Sequence, residues 1–485
     1  MTIALSLTLT RHGRSLVRRL VHPLARLRVR TAARVASAAV VGVLVGAANL
    51  AGAQTSGGAF SGSVLSGAAT PDVLPLTLAD AVDRGLKFNL TLITLEQQVE
   101  SARGARLRSL RDLMPRVDAR AGETRQTTNL AAFGFDSSLF PGVPAVVGPY
   151  NIFDARVSAS QSVLDVGARR DLASKTASLN AVRLDEENAR DVVTFIVTSL
   201  YFQAVAGESR IQTARAQVTT AEALFTQATN LRNAGAAPGI DVVRAQVQVQ
   251  AQRQRLLAAE NDRAKQMLQL VRAIGLPARQ PIQLSDRSIS TPGAVLSLED
   301  ALRRAADLRA DYKASVERVH AAEAALESTR STRLPSVHVG ADYGTIGSSP
   351  SDARRTYSMS ASVRVPIFDQ DRVGRQVENL AALTQRRAEA ADIAQRVETD
   401  VRTAFLDLQS TEQQLAVARE RVALADQELS LARIRFTAGV TSNLEVSQAQ
   451  NEVATAADNE VAGTYAFNLA KAALNRAIGS ASTTP

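Results

Sequence analysis

A duplication constrains this chain more than any other feature. Asp165, Val218, Ala234, Gly235, Ala245, Gln246 and the run Arg272 to Gly275 reappear 204 positions later. Their counterparts are Asp369, Val422, Ala438, Gly439, Ala449, Gln450 and the run Arg476 to Gly479. Earlier in each half the offset is 220: Leu78 matches Leu298, Asp80 matches Asp300 and Pro115 matches Pro335. The 16 extra residues of the first copy therefore fall between Pro115 and Asp165, around Phe133, Phe135, Phe140 and Pro141. Two copies are too few for a stacked solenoid, so a pseudo-symmetric assembly is expected.

Each copy reads helix, two strands, long helix, turn, helix. Thr77 and Ser297 stand as hydroxyl N-caps, each with an acid three residues on, Asp80 and Asp300. Pro115 and Pro335 are expected to close these first helices. No proline falls between Pro149 and Pro238 or between Pro366 and Pro485, so long helices are expected over 167–233 and 371–438. At 1.5 Å per residue such a helix spans about 100 Å. The shorter helices 78–113 and 240–273 would each reach about 50 Å, and two of them end to end match one long one. The series Ile211, Ala214, Val218, Ala221, Phe225 and Ala228, and its twin Leu415, Ala418, Val422, Ala425, Leu429 and Ala432, advance by threes and fours. That spacing makes a left-handed coiled-coil seam.

Between the helices the period changes to two. Tyr357, Met359, Ala361, Val363 and Val365 alternate with Ser358, Ser360, Ser362 and Arg364. Phe153, Ala155, Val157 and Ala159 alternate with Asp154, Arg156 and Ser158 in the first copy. The partner runs from Val117 and from Val337 through Tyr343 behave alike. Runs of this length and period fit transmembrane barrel strands, with Phe153, Val157, Tyr343, Tyr357, Met359 and Val363 as candidate lipid-facing residues. Four strands cannot close a barrel, and an open edge in lipid leaves backbone groups unsatisfied. Two chains would give a bore that side chains fill; three leave a channel.

The leader decides how the charge is read. The formal net charge is +9, yet residues 1–53 hold eight arginines and no acid, leaving 48 basic against 47 acidic residues. No nucleic-acid footprint remains. The basic stretch to Arg34, the apolar run Val35–Ala48 and Ala51-Gly52-Ala53 read as a cleaved secretory signal. Residues 54–76 are expected as a flexible mature N-terminus, 77–275 as the first repeat, 276–296 as a linker, 297–480 as the second repeat and 481–485 as a tail. Strands are expected near 117–130, 151–165, 336–348 and 355–368. With no cysteine and four histidines, two of them in the leader, the chain offers no thiol nucleophile and no multi-histidine metal cluster. No cofactor is expected, and the chain is read as no enzyme.

The two-fold repetition, the strand-to-helix junctions Ser162 to Gly167 and Val365 to Asp369, and the Ala234-Gly235 and Ala438-Gly439 turns together resemble the TolC family of outer-membrane factors. The resemblance covers about 76–480. It implies a mainly α fold with a membrane β-barrel, four strands and six helices per chain. A homotrimer would form a 12-stranded barrel in outer-membrane lipid and a 12-helix coiled-coil tunnel in the periplasm. It also implies a passive duct for efflux or type I secretion, docked to a periplasmic adaptor and an inner-membrane pump. The alternative is a periplasmic or surface coiled-coil scaffold.

By the same resemblance the two inter-helix turns form the tip that meets the adaptor, with Gly235, Ala236, Gly439, Val440, Ser442 and Leu444 as candidate contacts. Gly235 and Gly439 also fit the left-handed position that ends a helix. The candidate gate comprises Glu445, Gln448, Phe436 and Asp241. Glu445 falls where the family carries the first of two acid rings, but Ser442 to Glu445 equally reads as a capping box. Gln448 replaces the second acid, Thr441 a basic residue and Phe436 a tyrosine, so an apolar latch is the expectation here.

Overall fold

Both copies follow one plan, and local signals start and stop each element. The computed structural model describes residues 62–134, 144–236, 238–286, 297–441 and 443–481. The leader, residues 54–61, Phe135, Phe140, Pro141, Ser442, the 287–296 part of the linker and 482–485 of the tail lie outside the described residues. Every described element belongs to the unit Gln54–Pro485.

The first copy runs β1 (Leu74–Leu76), α1 (Leu78–Phe88), α2 (Leu90–Arg111), β2 (Arg116–Asn129), β3 (Val146–Leu164), α3 (Val166–Asn233) and α4 (Gly239–Ala273). After β4 (Ile282–Leu284) the second copy runs α5 (Leu298–Leu308), α6 (Ala310–Ser331), β5 (Ser336–Gly347), β6 (Arg354–Arg364), α7 (Gln370–Thr437) and α8 (Asn443–Ile478). Thr77 opens α1 with a reciprocal cap: its hydroxyl accepts from the Asp80 amide at 3.1 Å while the Asp80 carboxylate accepts from the Thr77 amide at 3.3 Å. Ser297 accepts from the Asp300 amide at 3.1 Å in the second copy.

The single helix expected from Leu78 to Pro115 is two helices, as is its twin, so the described residues hold eight α-helices rather than six. The break falls at Asn89. Its side-chain oxygen accepts from the amides of Thr91 at 2.9 Å and Leu92 at 3.4 Å, satisfying donors that a new helix start leaves orphaned. In the second copy the same position, 220 residues on, is Arg309, which breaks the helix without a side-chain cap. Instead its guanidinium, buried at 6% exposure, reaches Asp311 at 2.7 Å, Asp400 at 3.1 Å and the Ala477 carbonyl at 3.2 Å.

Each break is held by the end of its own repeat. Gly275 (φ +71°) and Gly479 (φ +82°) are repeat counterparts in the left-handed region. A Cβ on Gly275 would lie 2.7 Å from Phe88 Cβ, and one on Gly479 would lie 3.0 Å from the backbone of Leu308 and Arg309. Phe88 and Leu308 are themselves 220 apart. One joint is therefore built twice.

Around the first joint sits the largest apolar cluster, with Leu76, Leu92, Val193, Val197, Tyr201, Leu270 and Ile274. There β1 pairs in parallel with β4, Leu74 opposite Ile282 and Leu76 opposite Leu284. Burial pushes the Tyr201 hydroxyl up to about 12, so it remains protonated, within reach of the Leu76 carbonyl at 3.1 Å and Asp286 at 3.2 Å.

Helices α3 and α7, 68 residues each, are about 100 Å long. Asp165 and Asp369 cap them, accepting from the amides of Ala168 at 2.8 Å and Arg372 at 3.3 Å. Helix α3 packs on α2 and α4 of its own copy and on α6 and α8 of the other, tying the repeats together. Ile211, Ala221 and Ala228 on α3 and Leu415, Ala425, Leu429 and Ala432 on α7 are buried along the seam. Among the described residues α3 is the one helix long and apolar enough to cross a membrane by length and composition. Its residues Val193, Val197, Tyr201 and Ala204 belong to the apolar cluster.

The other four strands form one antiparallel sheet in the order β2-β3-β5-β6. Strand β3 begins at Val146, ahead of 151, because its pairing with β2 continues past an irregularity between Gln126 and Thr128 to Asn129 opposite Val146. Strands β2 and β6 are the sheet's edges, each hydrogen-bonded on one side only.

Candidate functional site

Register decides which side chains share a face of the sheet. Ala119 pairs with Val157, Val157 with Tyr343, and Tyr343 with Tyr357. The next row holds Val117, Ala159, Ala341 and Met359, and beyond it Val337 pairs with Val363. Phe153 continues the same row pattern on β3. All six residues singled out in the strands therefore lie on one face, because side chains alternate and the register keeps like with like. Tyr357, Met359 and Val363 are 75%, 82% and 65% exposed on the single chain.

The opposite face is polar. Asp118, Ser158, Asp342 and Ser358 form one row, and Arg120, Arg156, Gly344 and Thr356 the next. Arg156 lies between two carboxylates, 2.7 Å from Asp154 and 3.3 Å from Asp342. The Ser358 hydroxyl donates to Asp342, and Arg116 holds Asp118 at 2.8 Å. Sequence alternation separated the two faces but did not foretell the cross-strand contacts of Asp342 with Arg156 and Ser358.

The hairpin turns at the other end are twins. The Ala236 amide donates to the Leu231 carbonyl at 2.8 Å, and the Val440 amide to the Arg435 carbonyl at 3.0 Å. Gly235 (φ +75°) and Gly439 (φ +70°) occupy the left-handed position, and a Cβ at either would meet nothing within 4 Å. Backbone conformation alone asks for glycine there. Val440 and Leu444 are exposed beside Gly439, as is Ala236 beside Gly235; Ser442 lies outside the described residues.

The gate candidates separate into two groups. Glu445 and Gln448 reach the surface of the single chain, whereas Phe436 and Asp241 are buried, at 5% and 4% exposure. Phe436 packs with Ala432, Val446 and Ala449 between α7 and α8. It extends the seam beyond Leu429 and Ala432 by one more step of four, a signal already present in the sequence. Asp241 lies 3.6 Å from Arg244. Glu445 accepts from the Thr441 hydroxyl at 2.5 Å and pairs with Arg435 at 3.2 Å across the turn. Arg435 was not singled out in the sequence because its ten-residue separation from Glu445 matches no helical spacing. Among the described residues no group of three or more His, Cys, Asp or Glu is placed to hold a metal ion.

A family model for outer membrane efflux proteins matches residues 82–276 and 298–480. The pyoverdine export outer membrane protein OpmQ of Pseudomonas putida is 24% identical over 339 residues, covering 67% of this chain and 70% of the relative. Its namesake in Pseudomonas aeruginosa is 24% identical over 385 residues, covering 76% and 77%. The crystal structure of the Campylobacter jejuni CmeC outer membrane channel superposes with a TM-score of 0.71 at 16% identity, over 83% of this chain and 86% of that one. At that identity the likeness speaks for the fold.

Proposed function

The chain belongs to the outer membrane efflux protein family, and from that premise we propose that three copies close a 12-stranded barrel above a 12-helix periplasmic tunnel. It is an outer-membrane efflux channel, of a family of channels rather than enzymes.

The observation that carries closure is the one-sided sheet with two open edges. In lipid every unpaired backbone group costs several kcal/mol, so β2 and β6 need partners. Joining β6 of one copy to β2 of the next removes both edges and keeps the apolar rows outside. Three copies leave a bore where two would fill it. On β3 the row from Phe153 to Val163 covers ten steps and is apolar but for Gln161, with Glu123 and Arg355 on the same face near its Phe153 end. At about 3.3 Å per residue and a tilt of about 40° it stands about 25 Å tall, the height of an outer-membrane hydrocarbon belt.

The channel is passive, and an inner-membrane pump joined through a periplasmic adaptor drives efflux or type I secretion through it. The exposed turn residues Ala236, Val440 and Leu444, with Gly235 and Gly439 keeping the surface low, suit approach by an adaptor. Residues 1–53 are the signal peptide and 54–76 the mature N-terminus. The repeats 77–275 and 297–480, the linker 276–296 and the tail 481–485 make up the rest. Extracted from outer membranes in detergent, the mature protein is expected as a trimer that forms conducting pores in planar bilayers. A lipid-indifferent monomer would sink this reading and leave the periplasmic scaffold.

Glu445 belongs to the gate ring, where Arg435 offsets its charge. Glu445→Gln leaves Arg435 uncompensated and is expected to lower the cation-over-anion permeability of the open pore. An unchanged reversal potential would reduce Glu445 to a local partner of the turn.

A further inference from the structure

We propose that the polar face of the sheet is an anion-binding wall that favours carboxylate- or phosphate-bearing solutes on their way out. This rests on the barrel reading above, in which that face lines the bore.

Register puts Arg116, Arg120, Arg156, Arg354 and Arg364 on this face, against the carboxylates Asp118, Asp154 and Asp342. All three carboxylates are engaged: Asp118 by Arg116, Asp154 by Arg156, and Asp342 by Arg156 and Ser358. Two arginines thus neutralise three acids. Arg120, Arg354 and Arg364 have no carboxylate within 4.0 Å among the described residues, and all three are exposed. Arg120 sits directly opposite Arg156, a like-charge pair that costs stability, and is offset only by the charge of Asp154 diagonally across, a carboxylate that Arg156 already holds. A water-lined wall does not require guanidinium groups, since β6 lines the same face with Ser358, Ser360 and Ser362.

Pairing across the closed seams could redistribute these contacts but not the surplus of five arginines over three aspartates. Repeated around a bore whose walls have a low dielectric, that surplus is focused into a positive potential. The guanidinium fork matches carboxylate and phosphate oxygens two at a time, so polyvalent oxyanions gain most.

Tripolyphosphate is the probe, because on the barrel side of a bilayer it reaches the face without passing the gate. It is expected to block the wild-type pore. The variant Arg120→Ser/Arg354→Ser/Arg364→Ser is expected to weaken tripolyphosphate block by about tenfold or more. Titration calorimetry of tripolyphosphate into the detergent-purified protein should show the same loss without needing an open gate. Should the triple variant assemble poorly, Arg120→Ser alone is read the same way, with a smaller loss. Equal tripolyphosphate block and equal binding in wild type and variant would overturn the anion wall while leaving the barrel. Absence of a membrane-inserted oligomer would remove the barrel itself.

Discussion

Arginine in place of Met359 is expected to abolish the membrane-inserted oligomer, while arginine in place of its neighbour Ser360 leaves assembly intact. The two residues are adjacent on β6, midway along the strand, and point to opposite faces. Met359 shares its row with Ala341 and Ala159 on the apolar face; Ser360 lies opposite Gly340 on the polar one. A charge on the lipid side of a barrel near mid-depth costs about 2–4 kcal/mol, and three-fold assembly would incur that three times. The same charge inside a water-filled bore stays hydrated. Heat-modifiable migration and urea titration of the protein refolded into lipid vesicles would read the difference. Equal tolerance of both substitutions would mean that the sheet is not a membrane wall.

Arg309→Met is expected to cost about 3 kcal/mol, with a pH dependence that separates charge from packing. The guanidinium is buried, and removing it leaves Asp311 without its bidentate partner, Asp400 without its contact, and the Ala477 carbonyl unbonded. Asp400 is more than a third exposed and recovers water, which holds the loss at the lower end of the range for a broken buried pair. Burial works against ionising Asp311, but the hydrogen bonds and charge of Arg309 outweigh it and hold the carboxyl below its ordinary 3.8. A carboxyl depressed in the folded state adds stability above its unfolded pKa and loses it as pH falls through the lower folded value. In the variant, burial, the largest influence on Asp311, is opposed only by the Tyr312 amide and the charge of Arg476, which shifts the balance toward the neutral form. The gap between wild type and variant should therefore narrow below about pH 4 in denaturant titrations. A gap constant from pH 7 to pH 3 would assign the whole loss to packing.

The second copy's Arg309 also shows where reading the sequence falls short. The duplication relates the two joints, since Gly275 and Gly479 stand 204 apart and the residues they press upon, Phe88 and Leu308, stand 220 apart, the two offsets of the repeat. It did not reveal that a joint existed at Asn89. An asparagine within an apolar-patterned helix reads as a tolerable interior residue until its side chain is seen holding the amides of Thr91 and Leu92. The same holds at the gate: Phe436 follows the seam's spacing and is buried, whereas resemblance alone set it beside Glu445 at an aperture.

What the sequence by itself determined is periodic or local: the repeat, the caps at Thr77 and Ser297, the long proline-free helices, the two-faced strands and the glycines ending the long helices. Apart from the repeat, which is read by comparing the two halves, each depends on residues a few positions apart, whose relation the backbone geometry already fixes. Only the tertiary structure decided that β1 pairs with β4, that Arg309 reaches Asp400 and Ala477, that Arg156 lies between Asp154 and Asp342, and that Arg435 neutralises Glu445. Most of those partners come from distant parts of the chain, and Arg435 meets Glu445 only because the turn folds back. Such contacts follow from how the helices and strands are packed, a free-energy balance over the whole molecule that no local spacing records.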